Sequence, residues 1–383
     1  MLCNCIKVNF VVVRISADKK KKTYTPFDRM IKAISFSKPD RVPMIFFPEW
    51  DFLADFAGVT VRTLLNSVDL QIETNEKFKA RFPGVYAAVS IYEPYASAQA
   101  FGCPVSDQEN EIPAVKNPII DHPNEIQSLK VPDPWEAEGT RDWLKKIEYG
   151  REVGVVAAGN GEFGPFEVAG QIYGYDRLIL HMIKRPDIMH ALLEKTTEFQ
   201  TNFFKEWAKV LGGTATITLI ADHVSGFMNR KLIEEFFEPY HTKLVNGLKG
   251  YSGGMLYHSE NRSGHIIDKI GTWGYQIFHG QDWHVNGSLE KTKETMRNSP
   301  KRYTLMGQVP GRDVMLLEPS DEVVKQKIIE NIQIYAPGGG YMLSTGGGIN
   351  RGTPLRRLDM MVQLADKYGR YKSKKVLYGP DEE

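Results

Sequence analysis

The chain has 383 residues, of which 42% are hydrophobic and 25% are charged, and its formal net charge is +1. This composition is typical of a globular protein with a large core, and it argues against nucleic acid or an anionic membrane surface as the main partner. Only three cysteines are present, which excludes a disulfide framework and favours a cytoplasmic location.

Residues 1–24 are interpreted as a disordered leader or a start artefact. Their apolar run over residues 6–15 contains Lys7 and Arg14 and is followed by four consecutive lysines. This charge order is wrong for a signal peptide, and the run is too short to cross a bilayer. We expect a single folded domain over residues 25–371 and a polar tail over residues 372–383.

The folded part begins with a helix signal at Thr25-Pro26, a capping residue followed by a proline. Eight short apolar runs, each closed by a polar or glycine-rich turn, then predict buried strands over residues 42–47, 86–92, 153–158, 216–221, 254–258, 275–279, 303–307 and 341–345. Helical patterns lie between them, including residues 185–211, 229–248 (with a kink or break expected at Pro239), 263–270, 288–296, 320–335 and 353–368.

This eightfold alternation of strand and helix predicts an α/β fold, a TIM-type (β/α)8 barrel, because each pair of parallel strands needs a crossover. No glycine fingerprint of a dinucleotide-binding fold follows the first strand, where the sequence is Pro48-Glu49-Trp50-Asp51. The stretch over residues 102–142 is interpreted as a surface excursion that narrows the barrel mouth.

Catalytic groups of such barrels follow the carboxyl ends of the strands. Many carboxylates and imidazoles occupy these positions here, among them Glu49, Glu93, Asp222, His223, His258, Glu260, His279, Asp282 and His284. A single histidine there is more often a hydrogen-bonded rim residue. Because four of the nine histidines share this placement, we favour a functional site.

The sharpest local pattern is His258-Ser259-Glu260, followed after the next strand by Asp282. Histidine and carboxylate donors suit zinc or a similar divalent ion with an open coordination position. A histidine–carboxylate ion pair lining a polar pocket accounts for the same residues equally well. Two glycine triplets, at residues 338–340 and 346–348, bracket the last strand and predict either phosphate binding or close backbone packing.

Across residues 26–371 the chain resembles the uroporphyrinogen decarboxylase superfamily, whose fold is the (β/α)8 barrel. The resemblance rests on an ordered set of motifs: Arg41-Val42-Pro43, Ala100-Phe101-Gly102-Cys103, Gly164-Pro165-Phe166, Asp222-His223-Val224-Ser225-Gly226, His258, and Ser344-Thr345-Gly346-Gly347-Gly348-Ile349. A true decarboxylase would bind its substrate's carboxylates with arginines after the first strand. That segment carries Glu49 and Asp51 instead, and the family's aspartate and final-loop histidine fall at Glu93 and Gly347.

The chain is more similar to the corrinoid-dependent methyltransferase branch of the superfamily. There the resemblance implies a metal site at His258, Glu260 and Asp282, with Glu260 and Gly347 standing where that branch has cysteines. Thiolates activate thiol substrates on zinc, so their loss argues against methylation of a thiol. An oxygen-rich site suits the loss of methyl from an ether or hydroxyl oxygen.

We therefore predict the substrate-side methyltransferase of an O-demethylase-like system. It would pass methyl from a small donor to a separate corrinoid-binding protein, so that cobalamin resides on the partner. Glu93, His223 or Glu260 would protonate the departing oxygen, with Asp222 beside His223. The predicted substrate contacts are Glu49, Trp50, Tyr92, Tyr173, His279 and Gly347. A carboxy-lyase and a non-catalytic ligand-binding barrel remain as alternatives, and a homodimer is compatible with the sequence.

Overall fold

The computed structural model describes residues 24–88, 91, 93, 95–154, 159–280 and 288–371. The predicted disordered leader and polar tail, apart from residue 24, lie outside the described residues. So do Tyr92, Asp282 and His284 among the predicted site residues.

Eight short strands form the centre of the fold: β1 (Ile45–Phe46), β2 (Tyr86–Ala87), β3 (Asn160–Phe163), β4 (Thr218–Ala221), β5 (Met255–Ser259), β6 (Ile277–Gly280), β7 (Thr304–Val309) and β8 (Tyr341–Thr345). Strands β3 to β8 pair in chain order into one parallel sheet, and β1 pairs with β2. Parallel bridges from Met44 to Leu343 and from Pro48 to Ile349 join β1 to β8. The described residues show no pairing between β2 and β3, and residues 89–90 and 155–158 lie outside them. The succession confirms the predicted barrel architecture.

The α-helices are α1 (Pro26–Ile34), α2 (Trp50–Ala57), α3 (Val61–Leu65), α4 (Val68–Arg81), α5 (Ala96–Ala100), α6 (Thr140–Glu152), α7 (Pro165–Tyr173), α8 (Tyr175–Lys184), α9 (Pro186–Val210), α10 (Arg230–Leu232), α11 (Glu238–Gly247), α12 (Leu289–Arg297), α13 (Asp321–Tyr335) and α14 (Leu355–Tyr368). Side-chain caps begin several of them, as Thr25 does for α1 and Ser320 for α13. Within the part of the chain that is described, no helix combines the length and apolar character needed to cross a membrane.

The inside of the barrel changes from apolar to polar along the strands. Near the amino ends, a cluster of Ile45, Leu256, Ile277, Met306 and Met342 packs with Met30 and Ala33 of α1. Because alternate residues of a strand share a face, the inward positions two residues beyond Leu256 and Ile277 are His258 and His279. The sequence thus places imidazoles directly above the apolar layer, at the carboxyl end of the barrel.

Two predicted elements differ from the structure. The predicted third strand, residues 153–158, does not begin at Val153, because α6 continues to Glu152 and Val153-Gly154 form its turn; residues 155–158 lie outside the described residues, and β3 is described over Asn160–Phe163. Residues 263–270 form successive turns instead of a helix, with hydrogen bonds that reach back three residues, as from Ile266 N–H to the Ser263 carbonyl. The glycines at 264 and 271 bound this segment and lower its helix propensity.

The expected irregularity near Pro239 is confirmed. A π-helical segment, Ile233–Phe237, separates α10 from α11, and this proline is the second residue of α11. A proline lacks the N–H that a regular helix would bond at its position, and a wider turn accommodates the missing bond.

Candidate active site

Two stacked histidines form the floor of the candidate site. The rings of His258 and His279 lie 4.6 Å apart, and Phe47 packs against both. His279 Nε2 donates to the Thr345 carbonyl at 2.9 Å, and His258 Nδ1 donates to the His279 carbonyl at 3.2 Å. These acceptors assign the tautomers and leave His258 Nε2 facing the mouth. Burial, with His258 beside it, lowers the pKa of His279 to about 3, so that this ring is neutral.

Glu260 lies between two imidazoles above this floor. Its Oε1 is 3.6 Å from His258 Nε2, and its backbone N–H donates to His223 Nδ1 at 2.9 Å. Burial opposes its charge, but His258, His223 and the Gly348 N–H outweigh that effect and hold the pKa of Glu260 at about 2. Burial lowers the pKa of His223 to about 4. The group is therefore an ionised carboxylate beside a neutral His223.

Glu49 faces the same space and has the opposite protonation preference. It follows β1 and is the residue before the first turn of α2. Burial raises the pKa of Glu49 to about 8, and the nearby charges of Glu260 and Asp51 add to the effect. At neutral pH the site therefore holds one protonated and one ionised carboxyl group, a pairing that separates acid from base.

Two glycines make room for these carboxyl groups. A methyl group on Gly347 would lie 2.6 Å from Glu260 Oε1, and one on Gly348 would overlap the Glu49 carboxyl. Gly347, which was predicted to contact the substrate, therefore lies beside the Glu260 carboxylate and leaves room for it. Any larger residue there would force the carboxylate to move.

His258 and Glu260 fit a divalent metal site that needs a further ligand. Their 3.6 Å separation is close to the edge of a zinc tetrahedron, about 3.4 Å for ligands about 2.1 Å from the ion. The His258 tautomer leaves the Nε2 lone pair for a metal. No group of three metal-binding side chains forms within the described ranges, and the third predicted ligand, Asp282, lies outside them. A plain histidine–carboxylate ion pair uses the same geometry.

Asp222 lies outside this cluster and positions a helix instead. It is fully buried and accepts the Phe166 N–H at 2.9 Å, and burial raises its pKa to about 8. It thereby caps α7, whose own N-cap residue is Gly164. A methyl group on Gly164 would lie 2.5 Å from Asp222 Oδ2, so the glycine is what admits the capping carboxyl. Asp222 was predicted as catalytic, but its contacts are those of a positioning residue.

Three other predicted residues make contacts in other parts of the fold. Glu93 forms an ion pair with Lys146 of α6. The Tyr173 side chain is fully buried, and its hydroxyl bonds His181 of α8 at 2.5 Å. Trp50 is buried in the main hydrophobic core. None of these contacts is with Glu49, His258 or Glu260.

Glu167 is a site residue that the strand-end search missed. It lies in the first turn of α7 and accepts both the His223 N–H at 2.8 Å and the Tyr175 hydroxyl at 2.6 Å. Burial, with Asp222 adding to it, raises the pKa of Glu167 to about 7. The sequence signal that could have identified Glu167 is its place as the third residue of the helix that begins at Pro165. An acid at this position commonly accepts hydrogen bonds from backbone N–H groups near the start of a helix.

Comparison with known proteins agrees with this architecture. The family model for Uroporphyrinogen decarboxylase (URO-D) matches residues 25–368. Curated relatives include the uroporphyrinogen decarboxylase of Alkalilimnicola ehrlichii, 23% identical over 89% of this chain and 95% of the relative. Another is the methylcobamide:CoM methyltransferase MtbA of Methanosarcina acetivorans, 23% identical over 90% of this chain and 98% of the relative. A solved methyltransferase from Methanosarcina mazei superposes with a TM-score of 0.74 at 20% identity, covering 90% of this chain and 99% of that one.

Proposed function

The chain belongs to the uroporphyrinogen decarboxylase family, and we propose that it is a methyltransferase that removes methyl from an oxygen atom of a small methoxylated substrate. The methyl acceptor is the reduced corrinoid of a separate protein. Both a decarboxylase and a methyltransferase occur among the relatives at equal identity, so the choice depends on the chemistry of the site residues.

The observation that carries the proposal is the carboxyl pair Glu49 and Glu260 beside His258, with no thiol beside them among the described residues. Cys103, the one cysteine in the described part of the chain, is buried. Its Sγ lies 3.8 Å from the Gln171 carbonyl oxygen, and burial raises the pKa of the thiol to about 11. Oxygen and nitrogen donors suit an oxygen leaving group better than a thiol substrate.

The proposed step breaks the bond between methyl carbon and ether oxygen. The methyl group goes to the reduced cobalt of the partner's corrinoid, which supplies the bonding electron pair. The pair from the broken bond stays on the oxygen, and Glu49 delivers the proton that neutralises it. Solvent then reprotonates Glu49. Sequence reasoning proposed Glu93, His223 or Glu260 for this role, but of the two carboxyl groups Glu49 and Glu260 it is Glu49 that keeps its proton at neutral pH.

Glu260, His258 and His223 would orient the substrate oxygen. A divalent metal held by His258, Glu260 and Asp282 would polarise that oxygen as a Lewis acid. The neutral His223, whose Nδ1 accepts from Glu260 N–H, has its Nε2–H to donate to the substrate. Phe47, which packs on both floor histidines, gives the floor an apolar edge suited to a methyl group.

Decarboxylation of a porphyrinogen is the second candidate, favoured by the names of several relatives. It requires that several substrate carboxylates enter the barrel mouth. Placed near the ionised Glu260, they would be repelled, and the protonated Glu49 offers no positive charge to pair with them.

The deciding experiment incubates the purified protein with free cob(I)alamin and a panel of methoxylated aromatic and aliphatic compounds. Formation of methylcobalamin, followed by its absorption spectrum, is expected together with release of the demethylated product. A parallel incubation with uroporphyrinogen tests for loss of carboxyl groups. Porphyrinogen turnover without any methyl transfer would overturn the proposal.

A further inference from the structure

A cavity lies at the amino ends of β7 and β8, on the face of the barrel opposite the candidate active site. It has a volume of about 60 Å³, and its lining includes Lys293, Arg297, Arg302 and the glycine triplet Gly338–Gly340. Tyr303 directly precedes β7, and Gly340 directly precedes β8. The candidate active site lies at the carboxyl ends of the strands, so the two sites are on different faces.

Three positive charges share this cavity without a carboxylate partner among the described residues. Lys293 donates to the Ile334 carbonyl, and Arg297 donates to the Pro337 carbonyl at 3.2 Å. The Arg302 guanidinium lies 4.2 Å from the centre of the Phe36 ring. An ammonium has three donors and a guanidinium has five, so each group keeps donors beyond the contact that fixes it.

The glycine triplet opens the cavity to a ligand. Gly338, Gly339 and Gly340 all have left-handed backbones, with φ of 99°, 80° and 73°, a conformation that favours glycine. A methyl group on Gly338 would lie 3.1 Å from Arg297 Nη2. The triplet therefore lets the guanidinium lie against the backbone and leaves no side chain to fill the space.

Helix capping alone does not account for all three cations. Lys293 and Arg297 bond carbonyls at the end of α13 and just beyond it, as basic groups near helix ends do. Arg302 has no such carbonyl among its described contacts. Burial lowers the pKa of Lys293 to about 8, and the positive charge of the neighbouring Arg297 adds to the effect.

We propose that this cavity binds a phosphate group. A phosphate dianion suits a cavity lined by three cationic side chains, and the cavity has room for about four water-sized groups, the scale of one phosphate. The ligand is either free inorganic phosphate or the phosphate of a sugar monoester. This inference is independent of the proposed methyl transfer.

Isothermal titration of the full-length protein with inorganic phosphate in a chloride buffer tests the proposal. We expect one phosphate per chain, and Arg302→Gln should weaken binding about tenfold because a charged donor is lost. Lys291→Gln on the exposed side of α12 is the matched control and should bind as the wild type does. Equal affinity in the two variants, or no binding heat in the wild type, would overturn the proposal.

Chemical modification provides a readout that needs no variant. Acetic anhydride labelling, read by mass spectrometry, should show that phosphate protects Lys293 but not Lys291. Ribose 5-phosphate in a second series distinguishes the sources: tighter binding than inorganic phosphate identifies a monoester, and weaker binding identifies the free ion. Equal labelling of Lys293 with and without either ligand would refute the site.

Discussion

Replacement of Glu49 by glutamine removes the proton that the proposed mechanism needs and keeps the shape of the side chain. Glutamine offers an amide in place of the carboxylic acid but cannot transfer its proton to a departing oxygen. General acid catalysis contributes about 10²- to 10⁴-fold, so Glu49→Gln should lower kcat by that factor. The wild-type rate should fall as pH rises through about 8, where Glu49 ionises, and the variant should lack this limb.

The same substitution should stabilise the fold. The pKa of Glu49 is raised from its ordinary 4.5 to about 8, so the folded protein binds a proton that the unfolded chain releases between these values. Stability therefore falls as pH rises across this window. At pH 7 the cost is about 1.4 kcal/mol for each of about 2.5 pH units, or roughly 3.5 kcal/mol. Glutamine avoids this cost.

Urea denaturation of both proteins at pH 4.5 and pH 7 measures the effect. The stability difference between Glu49→Gln and the wild type should increase with pH over this interval. Contributions from other titrating groups, such as Asp222, are common to both proteins. A variant that is equally active, or one whose stability difference does not change with pH, would refute the assignment of a protonated Glu49.

Three further substitutions distinguish residues that act in the site from residues that only hold the structure around it. Gly347→Ala should lower activity at least about tenfold, since its methyl group would lie 2.6 Å from Glu260 Oε1 and 1 Å misplacements cost up to about 100-fold; unchanged kinetics would contradict the described packing. Asp222→Ala should lower stability by about 1–2 kcal/mol through loss of the α7 cap, and an unaltered urea midpoint would show that the cap is unimportant. Glu93→Gln should keep activity within about threefold while breaking the ion pair with Lys146, whereas a large loss of kcat would return Glu93 to the catalytic group.

Periodicity and strand-end position predicted the architecture and the centre of the site. The inward residues His258 and His279 follow directly from the alternation of buried strands. The third strand was predicted to begin too early, because the apolar run that starts at residue 153 has the composition of a strand, although α6 and its closing turn extend to Gly154. Apolar periodicity in one short segment does not determine the residue at which a helix ends or the next strand begins.

Side-chain direction explains the remaining differences. Asp222 directly follows β4 but turns to the α7 amino end, and Glu93 turns to Lys146 on α6, whereas His223 and Glu260 face the centre. Adjacent residues on a strand point to opposite sides, so a strand-end position alone does not say which space a side chain enters. The proton on Glu49 likewise depends on burial and on Glu260, which lies more than 200 residues away in the chain.

The most direct test of the central claim follows the methyl group itself. A donor found active in the substrate panel would be prepared with a ¹³C-labelled O-methyl group and incubated with the protein and cob(I)alamin. Carbon NMR should show the label on cobalt in amounts equal to the released alcohol, and this transfer should be lost with Glu49→Gln. Label that stays on oxygen, or leaves as methanol with no methylcobalamin, would contradict the proposed reaction.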